Sequence, residues 1–273
     1  MLSCVSYNML ISGRSRRGET MSLSAGSEAM RLFIAKVDTR SSLNADERTA
    51  LLGLRVTPRH VHAHREIGRF GEHVEHACLV AEGHVARFAQ LENGSRQIVS
   101  IHIAGDVVDL HSLMLPSVPT PLLALTSASL LQVAHADLRG LAVRHAGIAA
   151  AFWRECVVDG NIVAEWLVNV GRRDARARLA HLLCEFAVRS GQIGTLVRGR
   201  CFFPITQEQI ADALGLTPVH VNRMMQTLRS ERLVQLSQRE LTILDWEGLR
   251  RVGEFDQSYL HLPTLSVEDA QIS

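Results

Sequence analysis

The stretch spanning residues 206–229 constrains this chain most. Thr206 and Gln209 have the spacing of a capping box, so a helix starts at Gln207. Ile210, Ala211 and Leu214 give that helix an apolar stripe. Gly215 follows, a residue that leaves a helix at positive φ without a Cβ clash. Thr217 can cap a second helix, with Pro218 at its first position, where the missing N–H costs nothing. Val221, Met224, Met225 and Leu228 recur at helical spacing on its inner face. His220, Asn222, Arg223 and Gln226 are left on or near its outer face.

Two short helices joined by a tight glycine-containing turn form a helix-turn-helix, whose second helix enters the major groove of DNA. An ordinary helical hairpin in a core is the plainer reading. Caps, turn and outer-face polarity all favour DNA. Arg223 can donate two hydrogen bonds to a guanine, Asn222 and His220 can read base edges, and Val219 can touch a thymine methyl. Gln207 and Thr217, near helix N-termini, suit phosphates. Pro218 and Gln226 complete the expected contact set.

The formal net charge is only +1, so DNA affinity must come from local patches. Arg172, Arg173, Arg176 and Arg178 form one candidate patch, followed by Arg198 and Arg200. A hydrophobic share of 47% against 21% charged residues describes a soluble globular chain with a sizeable core. Its 273 residues leave room for about two domains. The five cysteines are odd in number and scattered, which argues against a disulfide framework, a zinc site or a cysteine-held cluster. No apolar run reaches the length of a membrane span, and no signal-peptide order opens the chain. A cytoplasmic protein without membrane contact is expected.

In chain order, residues 1–29 read as a disordered tail, or the chain begins at Met21 or Met30. Residues 31–54 read as helical, with Ser42 and Asn44 as candidate caps. From Val56 the apolar period becomes two. Glu92-Asn-Gly-Ser marks a hairpin, Gly105-Asp106 another turn, and Val107-Val-Asp-Leu and residues 122–133 continue the strand series. A small antiparallel barrel or sandwich follows. Helix returns at His135-Ala-Asp-Leu.

Residues 147–170 then carry Ile148, Phe152, Cys156, Val163, Trp166 and Val170 on one side. A second stripe holds Trp153, Val157, Ala164 and Val168. A helix apolar on two faces buries both. The first stripe is expected to form the seam of a homodimer, since a helix-turn-helix commonly works as a two-fold pair. Burial of the whole helix inside one monomer is the alternative. Gly171-Arg-Arg-Asp marks a boundary, and residues 175–190 form an amphipathic helix through Leu179, Leu182, Leu183, Phe186 and Ala187. Beyond the helix-turn-helix, Leu233-Val-Gln-Leu and Glu240-Leu-Thr-Ile-Leu flank Ser237-Gln238-Arg239 as a hairpin, or wing, with Arg239 placed to meet a phosphate. A short helix and a loose tail close the chain.

Eight of the thirteen histidines fall between His60 and His111. On a strand His60, His62 and His64 would share a face, a spacing able to hold a metal or a haem iron, or simply a polar strand face. The second is preferred, and neither metal nor cofactor is expected.

A strand-rich roll, a long central helix and a C-terminal winged helix-turn-helix, in that order, resemble the Crp/Fnr family of bacterial transcription regulators. Leu214-Gly-Leu-Thr-Pro-Val-His-Val-Asn-Arg is similar to the family's recognition segment, and Glu82-Gly83 and Gly105-Asp106 to turns of its sensory roll. The resemblance implies an α+β fold with these parts: a cyclic-nucleotide-binding-like β-roll (jelly-roll) over 30–146, a dimerisation helix over 147–171, a winged helix-turn-helix over 172–246 and a tail over 247–273. It implies a homodimer on a near-palindromic operator in double-stranded DNA, touching RNA polymerase. Family members that bind cyclic AMP carry a Gly-Glu-Leu segment, whose Glu holds the ribose, and an Arg-Ser-Ala segment, whose Arg holds the phosphate. Here Asp109-Leu-His111 and Pro119-Thr-Pro121 stand in those places, and no Arg or Lys lies between Arg96 and Arg139. The roll is therefore expected without cyclic AMP, its effector unnamed. Where family members often carry Arg and Glu in the recognition helix, this chain has Pro218 and Val219, so its operator should differ. A winged-helix adaptor that docks protein is the competing function. An enzyme finds no support, for no Gly-x-Ser-x-Gly, phosphate-cradling loop or His-Glu-x-x-His occurs.

Overall fold

The computed structural model describes residues 23–262; the rest of the chain, including residues 1–22 of the expected N-terminal tail, lies outside the described residues. Helix α1 (Leu23–Asp38) begins inside that tail. It buries Met30, Phe33, Ile34 and Val37, which recur at helical spacing. Helix α2 (Ala45–Leu52) is separate. The helical stretch expected over 31–54 is two helices, and Asn44, one of its two candidate caps, starts the second: its side chain accepts the Glu47 N–H, while the Glu47 carboxylate accepts the Asn44 N–H. A capping box here forces a helix start where periodicity alone would run on.

The roll is two facing sheets. One has the order β1 (Thr57–Val61), β7 (Ala128–Ala134), β3 (His76–Glu82). The other runs β2 (Glu66–Ile67), β6 (Leu122–Ala124), β4 (Val85–Gln90), β5 (Arg96–His102). All pairings are antiparallel. Val61, Ile67, Val80, Val85, Leu122 and Leu130 fill the space between them. The β4–β5 hairpin turns at Asn93-Gly94, with Gly94 at φ +84°.

Two strand expectations need correction. Val107-Val-Asp-Leu is not a strand: Val107 makes an isolated bridge to Leu79, and Leu110–Leu113 is a short 3-10 helix. Asp109 accepts the Cys78 N–H at 2.7 Å, which turns the chain out of the sheet. The run 122–133 is two strands, each in a different sheet, so the connecting turn must cross from one layer to the other. At that corner Gly83, φ +86°, lies against Ser127 O and the Ala128 Cα, leaving no room for a Cβ.

Helix α3 (His135–Arg144) leads into α4 (Ala146–Arg172), 27 residues and so roughly 40 Å long. Helix α5 (Ala175–Gln192) starts at Asp174, whose carboxylate accepts Ala177 N–H at 2.9 Å. All five residues of its expected stripe are buried. Strand β8 (Arg200–Phe202) and helices α6 (Gln207–Leu214) and α7 (Pro218–Ser230) follow. A hairpin, β9 (Val234–Ser237) and β10 (Glu240–Ile243), joins β8 in the order β8-β10-β9. Helix α8 (Trp246–Val252) and a 3-10 turn (Gln257–Leu260) come last. Residues up to 262 are thus not a loose tail: Leu249, Phe255 and Leu260 are buried in the core around α5.

A chain of buried charges ties these parts together. Asp106 accepts from Lys36, from Arg189 at 2.8 Å and from Ile103 N–H at 2.8 Å. Arg189 also donates to Glu185 at 3.0 Å, and Glu185 accepts from Trp166 Nε1 and from Tyr259 OH, each at 2.8 Å. Roll, central helix, α5 and the C-terminal turn therefore meet in one network, in which each interior charge has a partner, as a low dielectric requires.

Candidate nucleic-acid interface

The helix-turn-helix has the local structure its residues dictate. Thr206 Oγ1 accepts Gln209 N–H at 3.2 Å, and Gln209 Oε1 accepts Thr206 N–H at 2.9 Å. Gly215 sits at φ +62°, ψ +40°, and its N–H closes on Ala211 O. Thr217 Oγ1 accepts His220 N–H at 3.2 Å, and Pro218 occupies the first turn. Val221, Met225 and Leu228 are buried and Met224 is half-buried, so the inner face is as read.

The outer face presents the expected side chains to solvent. Pro218, Val219, Asn222, Arg223 and Gln226 are exposed, Val219 to 81%, and His220 is half-buried. Gln207 is exposed at the start of α6. Arg239 is exposed at the wing tip, nine residues past the end of α7. Gln238 and Arg239 both hold positive φ, +51° and +64°, as a two-residue hairpin turn demands. Arg239 O also accepts Phe203 N–H at 2.7 Å, so the tip is tied to the start of the domain.

The basic patch is drawn differently from the expectation. Arg173 pairs with Glu165 at 2.7 Å, and Arg176 with Glu231 at 2.6 Å. Arg178 donates to Arg173 O and, at 3.0 Å, to Leu214 O, capping the last turn of α6. These three arginines hold the domain together. Of the expected patch, Arg200 lies 4.0 Å from Glu240, while Arg172 and Arg198 are exposed and, among the described residues, enter no ion pair, as is true of Arg223, Arg229, Arg232 and Arg239 on α7 or beside the wing. Arg229 and Arg232 were not anticipated. Their sign is visible in the sequence, but their freedom depends on where the carboxylates fall.

The roll braces this unit directly. Gln97 of β5 donates to Ala213 O at 3.0 Å, and Gln209 donates to Leu125 O at 3.2 Å. The first helix of the motif is therefore held at both its start and its end by the roll.

The central helix also corrects the expectation. Ile148, Phe152 and Trp166 are buried inside the subunit, at 0%, 6% and 6% exposure. Cys156 and Val170 are half-buried, and only Val163 of the six expected seam residues is exposed. The first stripe packs on the subunit's own α1, α3 and α5. The second stripe is open: Trp153 is 78% exposed, Val157 54% and Val168 46%, and Leu167, which belongs to neither stripe read from the sequence, lies beside them 69% exposed. Trp153, Val157, Gly160, Ala164, Leu167 and Gly171 alternate by four and three residues, the spacing of a coiled-coil seam.

The three histidines do not line up. β1 ends at Val61, and His64 turns at φ +64°, so they share no strand face.

Residues 177–252 match the Crp-like helix-turn-helix domain, and residues 58–145 match the cyclic nucleotide-binding domain. The nitrogen fixation regulation protein FixK of Rhizobium meliloti (strain 1021) is 29% identical over 192 residues, covering 68% of this chain and 82% of that protein. The fumarate and nitrate reduction regulatory protein of Vibrio cholerae is 21% identical over 189 residues, 69% of this chain and 75% of that one. The solved structure of FixK2 from Bradyrhizobium japonicum superposes with a TM-score of 0.67 at 26% identity, covering 73% of this chain and 98% of that chain. With both family domains in this order around a capped, winged helix-turn-helix, the chain belongs to the Crp/Fnr family of transcription regulators.

Proposed function

We propose that two copies of this chain join along α4 and set a pair of α7 helices into successive major grooves of a near-palindromic operator in double-stranded DNA. The observation that carries this is the exposed face of α7. Its contact-capable side chains project from a helix whose position is set by two caps, a left-handed turn and the roll. Arg223 reads a guanine, Asn222 and His220 read base edges or bridging water, and Val219 meets a thymine methyl. Gln207, Thr217 and Arg239 meet phosphates, with Pro218 and Gln226 at the edges of the contact. Arg229 and Arg232 add sequence-independent attraction.

The pairing surface is the second stripe of α4. Exposed Trp153, Val157 and Leu167 form an apolar ridge of a kind monomers seldom leave in water. Gly160, Ala164 and Gly171 let two such helices approach closely; a Cβ at Gly160 or Gly171 meets nothing within 4 Å in the single subunit.

The roll is not built for cyclic AMP. Leu110, buried at 4%, stands where a ribose acceptor is needed, and Pro119 where a phosphate-binding arginine is needed. Contact with RNA polymerase is implied by the family. Selection of bound duplexes from a random pool tests the proposal. Enrichment of a two-fold motif supports it; no enrichment, with retention of a protein from extract by the winged helix, supports an adaptor instead.

A further inference from the structure

The last described residues deliver the chain to the side of the exposed ridge of α4. Arg173, just past the end of α4, donates to Glu254 O at 3.4 Å. Arg40 then accepts the chain six residues on: it donates to Leu260 O at 3.0 Å and pairs with Glu155 of α4 at 2.8 Å. The His261 and Asn161 side chains hydrogen-bond at 2.9 Å. From Arg173 back to Asn161 is roughly 18 Å along the helix, so this segment runs antiparallel to α4. The next large exposed groups in that direction are Val157, Arg154 and Trp153. Asn161 itself lies about 80° round the helix from the line of Trp153, Gly160, Ala164 and Gly171. The chain therefore arrives on the flank of the ridge and leaves its crest free.

The sequence that follows suits this flank. At least eleven residues come after Leu262, up to about 36–40 Å of extended chain. Arg154 is only roughly 10 Å along α4 from Asn161. Leu265 and Val267 alternate, so an extended chain turns both to one side, and Glu268 and Asp269 follow at once. Opposite them stand two exposed apolar side chains, Trp153 and Val157, and one cation. Arg154 is exposed and donates to the Ser41 hydroxyl, and among the described residues it enters no ion pair. The nearby carboxylates Glu155 and Glu165 are already paired, with Arg40 and Arg173.

We infer that residues 263–269 dock along the flank of α4, with Leu265 and Val267 on Val157 and Trp153 and with Glu268 and Asp269 at Arg154. The docked segment fills the groove beside the seam and tightens the pairing of two subunits. Burial of Leu265 and Val267 supplies most of the affinity, and the exposed charges fix the direction. This inference rests on the proposed pairing along α4 for its effect on assembly, and not for the docking itself.

Two measurements test it, on the full chain and on a chain ending at Leu262. Sedimentation equilibrium should show the dimer Kd rising about 10- to 100-fold without the segment, and likewise in Leu265→Ser with Val267→Ser. Acrylamide quenching of Trp153, isolated by difference against Trp153→Phe, should increase several-fold on the same truncation. It is measured in Leu167→Ala at a dilution where that variant sediments as a monomer, so that loss of the partner does not mimic loss of the segment. Arg154→Glu should raise the Kd, and Glu268→Arg with Asp269→Arg should restore it in that background; a role of Arg154 confined to Ser41 would give no such rescue. Quenching that ignores the truncation overturns the inference, as does a dimer Kd that is unchanged or tighter without the segment. A full chain that is monomeric at every concentration would count against pairing along α4, and the quenching comparison would still decide the docking.

Discussion

Leu167→Ala separates the two faces of the central helix. Full burial of a leucine side chain stabilises by about 1.5–3 kcal/mol. Leu167 is 69% exposed in the single subunit, so about two thirds of that gain, roughly 1–2 kcal/mol, waits for a partner. A two-fold seam contains the residue twice, so the substitution should cost about 2–4 kcal/mol of pairing, a rise in dimer Kd of roughly 30- to 800-fold. Phe152→Ala is the contrast. Phe152 is 6% exposed and sits in the core of α1, α3 and α4, so its loss should cost about 3–5 kcal/mol of folding stability. Sedimentation equilibrium over a dilution series reads the first effect, and urea unfolding reads the second. If Leu167→Ala leaves the dimer constant unchanged, the exposed ridge is not the seam. If Phe152→Ala dissociates a folded dimer, the first stripe is the seam after all.

Other consequences follow from the same geometry. Arg223→Ala should cost about 1–3 kcal/mol of operator binding and relax preference at one base pair, seen by competition with single-base operator variants; a uniform loss across variants would make it a phosphate contact. Asp106→Asn leaves Lys36 and Arg189 without a counter-charge and should cost about 3–5 kcal/mol in urea unfolding at pH 7. Burial alone would push the Asp106 carboxyl up, but Lys36 and Arg189, with His102, outweigh it and hold it below the usual carboxylate range. Its contribution is therefore complete above about pH 4 and is lost as pH falls further, so the acid-side slope should flatten in the variant. Asp159 is the reverse case. Burial first, then Asp106 and Glu155, push it up to about 7 against the pull of Arg189 and Lys36. The folded state then holds a proton that the unfolded chain releases near pH 4, so stability falls as pH rises from about 4 to 7. Asp159→Asn should remove that slope and raise stability at pH 8 by about 1–3 kcal/mol, less than the full shift implies because the side chain is partly open to water; an unchanged slope in urea midpoints would refute it.

The recognition unit was legible because its signals are local. Thr206 with Gln209, Gly215, and Thr217 with Pro218 act within four residues of themselves, and each does in the structure what its chemistry requires. The roll was legible as a series of strands, but not at Val107 or Leu125, where Asp109 and the crossing between sheets decide the path. Neighbours distant in sequence decided the rest. Phe152 and Trp153 are equally apolar, and only the packing of α1, α3 and α5 shows which one the subunit buries. Arg173 and Arg176 look like DNA contacts until Glu165 and Glu231 are placed beside them.

Hydroxyl-radical footprinting of the full chain on its selected duplex tests the central claim most directly. Two helices α7 related by a two-fold axis should protect two patches whose centres lie about 10–10.5 base pairs, or a multiple of that, apart, with both patches weakened together in Leu167→Ala. Protection of a single patch by a dimer, or protection that does not change when Arg223 and Asn222 are replaced by alanine, would contradict it.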